Sequence, residues 1–312
     1  MKNEIKVFAP ATVSNVGCGF DIMGFAINKL GDEVKIKLIS RPEIVIKSIK
    51  GDGNRLPLDP RKNTVSIAVS AMRKHLNQKE GLEINLYKKM PMGSGLGSSA
   101  ASAVAGVFAL NALLDNPLSN EDLLTFALEG EKITSGGIPH ADNVAPCLYG
   151  GFVIVRSCNP LDVIKIPTPK KLYTTIIYPH VEVITADARR MLKKHIPLKK
   201  AVVQWGNVAG LVAGLMSENY NLIARSLHDE IIEPVRAKLI PGFHKMKETA
   251  LNSGALGCSI SGSGPSVFAL STSKETAEKV ARSMKKVLSG MNVESSVYVS
   301  KINSRGPRVI LR

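Results

Sequence analysis

Cysteine is scarce and scattered. Cys18, Cys147, Cys158 and Cys258 form no CxxC pair, which argues against both a zinc site and a disulfide framework. Aromatic residues are only 5% of the chain, too sparse for an obvious base-stacking platform. Long apolar runs are missing as well: the longest, residues 100–114, is broken by Ser102, Gly106 and Asn111 and falls short of the ~20 residues a membrane span needs. No signal peptide is expected from MKNEIKVFAP, where a short apolar segment follows the charges and Pro10 ends it. Acidic residues are outnumbered, 26 against 41 Lys and Arg, and the net charge of +15 favours an anionic partner: a nucleotide, a phosphorylated metabolite, a nucleic acid or a membrane surface. The basic residues fall in separate pairs (Lys88-Lys89, Arg189-Arg190, Lys193-Lys194, Lys199-Lys200), so a solvated basic surface accounts for them better than a nucleic-acid groove. The expected compartment is the cytoplasm, with neither nucleic acid nor membrane as a partner.

What is present describes a globular protein: 44% hydrophobic and 21% charged residues, with a mean hydropathy of +0.06. At 312 residues two lobes are expected, spanning 1–165 and 166–312. Ile5 to Phe8 reads as a strand, ATVSNVGCGFD as a turn-rich stretch, and VKIKLI as a second strand with Val34, Ile36 and Leu38 on one face. Asn63 or Thr64 can cap a helix with Val65, Ala68, Val69, Met72 and Leu76 at helical spacing. The alternation of Leu82, Ile84 and Leu86 predicts a strand, and Ser119 with Asp122 a capping box for a helix ending before Gly136-Gly137. GGFVIVRS reads as a strand and SCNPLDVIKIPTPKK as a proline-bearing connection. The second half predicts a strand at 172–178, helical stretches near 186–194, 198–217, 219–229 and 242–252, a strand at 267–270, a helix at 274–288 and a last strand at 294–299. Strands and helices mix without strict alternation, so the predicted class is α+β.

The chemistry gathers at residues 91–102, PMGSGLGSSAAS, between a predicted strand and an Ala-rich helix. Glycines at 93, 95 and 97 let successive backbone N–H groups turn inward, and the first turn of a following helix adds a positive field at the same point. Ser94, Ser98 and Ser99 supply hydroxyls for phosphate oxygens or a metal ion. No lysine follows Gly97, which excludes a Walker A loop, and the third glycine is misplaced for a dinucleotide fingerprint. A helix-packing glycine turn without ligand is the competing reading of these residues alone.

PMGSGLGSSAAS resembles the phosphate-binding motif of the GHMP kinases, the small-molecule kinases of galactose, homoserine, mevalonate and phosphomevalonate. APATVSNVGCGFDIMG at 9–24 and GCSISGSGPSVFAL at 257–270 resemble that family's other motifs, in the same order and across essentially the whole chain. The resemblance implies a two-lobed architecture, an amino-terminal ribosomal-protein-like lobe and a carboxy-terminal ferredoxin-like lobe, using ATP and Mg2+. It implies that Pro91, Met92, Gly93, Ser94, Gly95, Leu96, Gly97, Ser98, Ser99, Ala100 and Ala101 form the triphosphate site and that Asn63 flanks the adenine. Ser99 and Glu131 are then the Mg2+ ligands, a pair of hard oxygens; Glu129 points to another helix face and is less favoured.

NVGCGFD and HADNVAP resemble the homoserine-phosphorylating branch of that family. By that likeness Asn15, Asp21, His140 and Asn143 line an amino-acid pocket, and Arg189 and Arg236 reach in from the second lobe. The chemistry is coherent: an arginine offers two parallel N–H donors to a carboxylate, and Asp21 could pair with an ammonium. Arg190 competes with Arg189; His75, His180, His195, His228 and His244 are read as structural. Asn143 cannot accept a proton, so Asp142, Asp21 or the γ-phosphate itself must take the hydroxyl proton, and the phosphate is favoured. Asn143, Arg189 and His140 are the expected catalytic residues, and GSGP at 262–265 is expected to pack against the phosphate loop. The competing functions are a kinase of another small alcohol such as mevalonate or shikimate, a binding-only relative without turnover, and a basic nucleic-acid-binding protein. A homodimer is the default assembly.

Overall fold

In the computed structural model, residues 3–133 and 140–311 are described, so Gly136-Gly137 lie outside the described residues. Two long antiparallel strands, β1 (Glu4–Val16) and β2 (Gly19–Ile39), open the chain. The segment ATVSNV, expected as a turn, is the second half of β1. Its small side chains let the strand be buried on both faces: Ala11 and Val13 lie in the core, Thr12 and Ser14 are equally inaccessible, and the turn itself shrinks to Gly17-Cys18. The strands β3 (Ile44–Lys50), β4 (Gly81–Tyr87), β5 (Phe152–Cys158), β6 (Leu161–Ile166) and β11 (Arg308–Leu311) complete this sheet. Its main path runs β11-β1-β2-β4-β3, and β5 pairs with β2 and β6; only the β3–β4 pair is parallel. LDVIKI is therefore a strand, not a connection: it doubles back on β5 as a hairpin, and its exposed Ile164 weakens the burial pattern that would have marked it.

Four helices cover one face of this sheet: α1 (Thr64–His75), α2 (Ser98–Leu113), α3 (Asn120–Glu131) and α4 (Ala141–Tyr149). Asn63 caps α1 by accepting the Val65 N–H at 3.3 Å, and Ser119 with Asp122 closes the capping box of α3. Nearly every side chain of α2 is buried, because it lies between β1–β2 and the other three helices. Gly106 permits the close approach of α1, since a Cβ there would lie 2.6 Å from Val65 Cγ2. The phosphate-loop helix is thus fixed on all sides.

The second sheet holds β7 (Tyr173–Pro179), β8 (Gly257–Ile260), β9 (Val267–Ser271) and β10 (Ser295–Lys301) in the order β10-β7-β9-β8, all antiparallel. Fourth, first, third, second is the ferredoxin-like order, and the molecule is α+β as expected. Around it lie α5 (Thr185–Arg190), α6 (Leu198–Met216), α7 (Tyr220–Ser226), α8 (Glu233–Arg236), α9 (Phe243–Asn252) and α10 (Lys274–Ser289). A 3-10 turn, Ala237–Leu239, follows α8. The strands β8 and β11 escaped the sequence reading because both have only four residues and β8 sits among glycines and serines. Among the described residues no helix is long and apolar enough to cross a membrane.

Candidate active site

The glycine loop leaves β4 and enters α2, with Gly93, Gly95 and Gly97 at φ of +69°, +73° and +69°. Two of these positions admit nothing but glycine for reasons of contact as well. A Cβ on Gly95 would come 2.4 Å from the Ser261 carbonyl oxygen, and one on Gly97 would come 2.1 Å from Thr12 Oγ1 and 2.9 Å from Asn143 Oδ1. The loop is held from the second lobe, where Ser261 Oγ donates to the Gly95 carbonyl at 2.7 Å and the Ser266 N–H to the Ser94 carbonyl at 3.3 Å, and the Gly262 N–H ties the same turn to β1 through the Ser14 carbonyl at 3.0 Å. The GSGP turn therefore supports the loop, and through Gly262 and Ser263 it also borders the cavity.

Not every loop hydroxyl faces a ligand. Ser94 Oγ donates to the Pro91 carbonyl at 2.6 Å, and Ser98 Oγ donates to Asp32 at 2.8 Å. The Leu96, Ala100 and Ala101 side chains are buried in the core, and the Ala101 N–H is taken by the Gly97 carbonyl at 2.9 Å. The Ser94 and Ser98 hydroxyls are thus engaged within the protein, although both residues line the cavity. Ser99 differs: its hydroxyl donates to Glu131 Oε2 at 2.7 Å, and both line the cavity.

Asp32 is the residue the sequence reading missed here. Its inaccessible carboxylate accepts the N–H of Lys89 (2.8 Å) and Met90 (3.1 Å) at the loop entry, Ser98 Oγ at its exit, and the Lys88 ammonium. Lys88 also donates to the Ser98 carbonyl and Ser102 Oγ, each at 2.8 Å. A single carboxylate thus ties both ends of the glycine loop. One cavity of about 170 Å³ beside the loop is lined by Leu56, Asn63, Lys88 and Met92, and it shares Gly93, Ser98 and Ser99 with a cavity of about 240 Å³. Asn63 reaches the first cavity's wall while its amide spans the Pro57 carbonyl and the Val65 N–H.

The larger cavity joins the two lobes. Asn15, Asp21, His140, Asp142 and Asn143 face Arg189 and Arg236 across it. Arg189 pairs with Asp21, whereas Arg190 turns out to Asp187, and Glu129 likewise pairs with Lys132 away from the site. Arg236 is only 3% exposed; Nη1 donates to the Gly262 carbonyl at 3.0 Å, and Nε has no hydrogen-bond partner among the described residues. The Phe20 ring contacts both guanidinium groups, with its centroid 5.7 Å from Arg189 and 5.0 Å from Arg236, so one ring helps to hold two cations. Behind them, Gln204 on α6 donates to the Cys18 carbonyl at 2.9 Å and to Asp229 at 3.0 Å, and Asp229 accepts three N–H groups at the start of α8. Gln204 braces both the Asp21 turn and the helix carrying Arg236. Phe20 lies within NVGCGFD but carries no titratable group, and Gln204 lies outside every motif.

Asn143 is locked by two hydroxyls: Thr12 Oγ1 donates to its Oδ1 at 3.0 Å, and its Nδ2 donates to Ser14 Oγ at 2.9 Å. Burial holds the His140 imidazole below its ordinary pKa, so it is neutral at pH 7, with Nδ1 4.0 Å from Glu131 Oε1. Burial, reinforced by the charge of Asp21, pushes the Asp142 carboxyl up to about 7. An unfolded aspartate loses its proton near ~3.9, so between that pH and about 7 the folded chain binds the extra proton and stability falls as pH rises. Thermal melts across this window should show wild type losing stability relative to Asp142→Asn, with the difference constant above it. Parallel profiles for the two proteins would remove Asp142 from this role.

Residues 63–151 match the GHMP kinases N terminal domain and residues 207–290 the GHMP kinases C terminal domain. The chain is 48% identical to the homoserine kinase of Chlorobium phaeobacteroides, over 98% of this chain and 99% of that protein. The crystal structure of homoserine kinase from Cytophaga hutchinsonii superposes with a TM-score of 0.97 at 60% identity, covering 99% of this chain and 98% of that one. The crystal structure of L. major mevalonate kinase in complex with R-mevalonate shares the fold, with a TM-score of 0.70 at 18% identity over 97% of both chains. With a glycine loop, a part-buried serine–glutamate pair and opposed charges in one interlobe cavity, and with full-length relatives of this similarity, the chain belongs to the homoserine kinases of the GHMP kinase family.

Proposed function

We propose that the protein transfers the γ-phosphoryl group of ATP to the side-chain hydroxyl of L-homoserine, giving O-phospho-L-homoserine for threonine biosynthesis. The observation that carries this reading is the placement of Asp21, Arg189 and Arg236 in the same cavity as the glycine loop and the Ser99–Glu131 pair. Asp21 suits the substrate ammonium, and the partly unpartnered, buried guanidinium of Arg236 suits its carboxylate. Mevalonate and shikimate have no ammonium to complement Asp21. The division into lobes at 1–165 and 166–312 belongs to the same proposal, with the chain's last strand, β11, returning to the first sheet: the first lobe supplies the loop and most of the acceptor wall, the second the two arginines.

Two hard oxygens 2.7 Å apart, one from a carboxylate that is 5% exposed, fit Mg2+ with its remaining positions filled by phosphate and water. Ser99 and Glu131 are the residues to hold it, and when bound it offsets charge on the phosphate oxygens. The chain's own contribution is positioning. The hydroxyl oxygen attacks the γ-phosphorus, the bond to the β-phosphate oxygen breaks, ADP leaves, and the hydroxyl proton passes to a γ-phosphoryl oxygen. Arg189 offsets the developing charge, Asn143 orients the hydroxyl, and neutral His140 adds no charge beside Glu131. Neither nearby carboxylate is suited as base, since Asp21 is paired with Arg189 and Asp142 is only 2% exposed.

A coupled ADP-release assay over L-homoserine, mevalonate and shikimate, with phosphorus NMR of the product, tests the assignment. Turnover is expected with homoserine, and its absence overturns the reading. Asn143→Ala should lower kcat by about 10²-fold, the lower end of what a positioned group contributes, with ATP affinity unchanged. A kcat equal to wild type would take Asn143 out of the mechanism.

A further inference from the structure

One neutral side chain stands behind both charged ends of the acceptor cavity. Gln204 is buried on the inner face of α6, and its amide bonds in two directions. Nε2 donates to the Cys18 carbonyl at 2.9 Å and to Asp229 Oδ1 at 3.0 Å, which uses both of its N–H groups, while Oε1 accepts the Glu230 N–H at 3.0 Å. Cys18 lies in the turn between β1 and β2, two residues before Phe20 and three before Asp21. Asp229 lies seven residues before Arg236 and caps the segment that carries it: Oδ1 accepts the N–H groups of Ile231 and Ile232 at 2.8 and 3.0 Å, and Oδ2 that of Glu233 at 2.9 Å. With four residues α8 is too short to hold its own shape, so its orientation depends on this cap.

We propose that Gln204 is a positioning residue that sets the separation of Asp21 from Arg236, and through it the fit to an ammonium and a carboxylate carried on one carbon; the inference rests on the homoserine reading given above. Two charges on one carbon form a short, fixed span, and their partners must be set to that span, because misplacement by about 1 Å costs a large factor in rate. The tips of the two partners are held from the front. The Asp21 N–H donates to Asn15 Oδ1 at 2.8 Å, and Asn15 Nδ2 and Arg236 Nη1 converge on the Gly262 carbonyl at 2.8 and 3.0 Å. Gln204 fixes the backbone behind them. A shift of the Cys18 turn would carry Asp21 and the Phe20 ring together, away from the guanidinium that the ring contacts. The position also needs an amide. A glutamate would set a carboxylate against Asp229 and the Cys18 carbonyl with no donor for either, and a methionine would fill the space and bond to neither.

Steady-state kinetics with L-homoserine, paired with calorimetric titration of ATP alone, separates positioning from folding. Gln204→Met should lower kcat/KM for homoserine by about 10-fold, chiefly through KM, and leave the ATP dissociation constant within about twofold of wild type, because the lost bonds lie behind the acceptor end only. Gln204→Glu should lower kcat/KM further, again with ATP binding kept. Arg236→Ala supplies the background in which the span no longer matters: there Gln204→Met should cost less than about twofold more, whereas independent effects would multiply. Full multiplication in the double variant overturns the proposal, as does an unchanged kcat/KM in both Gln204 variants. Loss of ATP binding along with homoserine use in both variants overturns it too, by assigning Gln204 to the fold. Wild-type protein that fails to phosphorylate homoserine is a separate failure, since it removes the substrate assignment and the inference with it, before any variant is compared.

Discussion

Glu131→Gln is expected to lower kcat by about 10³-fold, the upper end of what one preorganised electrostatic contact supplies to a transition state. The substitution keeps shape and burial while removing a negative charge, so its effect isolates electrostatics. Glu131 is 5% exposed, accepts from Ser99 at 2.7 Å, and stands 4.0 Å from the His140 imidazole, which burial holds below its ordinary pKa. In the proposed Mg2+ site the substitution removes the anionic one of the two residues that would hold the ion, and no cluster of three or more acidic, histidine or cysteine side chains suited to a metal exists among the described residues. Calorimetric titration with ATP should therefore show MgCl2 strengthening binding to wild type and doing so far less for Glu131→Gln. The melting temperature should move little. Wild-type turnover in the variant, or an undiminished MgCl2 effect, would return Glu131 to a packing role.

The neighbouring Glu129 shows how far sequence could resolve the site. Two glutamates one residue apart flank Gly130 on one helix, and helical periodicity alone sends them to different faces. Motif position favoured Glu131, and the structure places it in the cavity while Glu129 pairs with Lys132 outside. Arg189 and Arg190 separate in the same way, one on Asp21 and the other on Asp187. Such choices were legible because a helix turns neighbours by a fixed angle. What stayed hidden depends on tertiary contact: Phe20 under two arginines from the other lobe, Gln204 reaching Cys18 and Asp229, and Thr12 holding Asn143 across 131 positions. In the fold, the long helices followed from periodicity, with polar N-caps marking α1 and α3, whereas β3, β6, β8, β11 and the second half of β1 were missed. In β8 and the second half of β1 small or polar residues are buried on both faces, so no alternation marks them, whereas β11 is short and largely exposed.

Asp32→Asn carries the largest expected effect on stability. Asp32 is inaccessible and Lys88 side-chain exposure is 3%, so the pair stands in a low-dielectric interior. Replacing one partner leaves the Lys88 ammonium buried without its counter-charge, which costs about 3–5 kcal/mol in comparable buried pairs. For a chain of this size the melting temperature should fall on the order of 10 °C. The loss is local in its functional consequence, because the same carboxylate fixes the Lys89 and Met90 N–H groups and Ser98 Oγ at opposite ends of the glycine loop. An amide oxygen can accept some of those bonds and cannot hold them all with a charge. The dissociation constant for ATP should therefore rise as well. Combining Asp32→Asn with Lys88→Met separates the two effects: removing the orphaned charge should recover much of the stability, whereas the loop, still lacking its clamp, should remain poor at binding ATP. Recovery of both together would mean that Asp32 serves only to neutralise Lys88, and recovery of neither would mean that Lys88 itself holds the loop through Ser98 and Ser102.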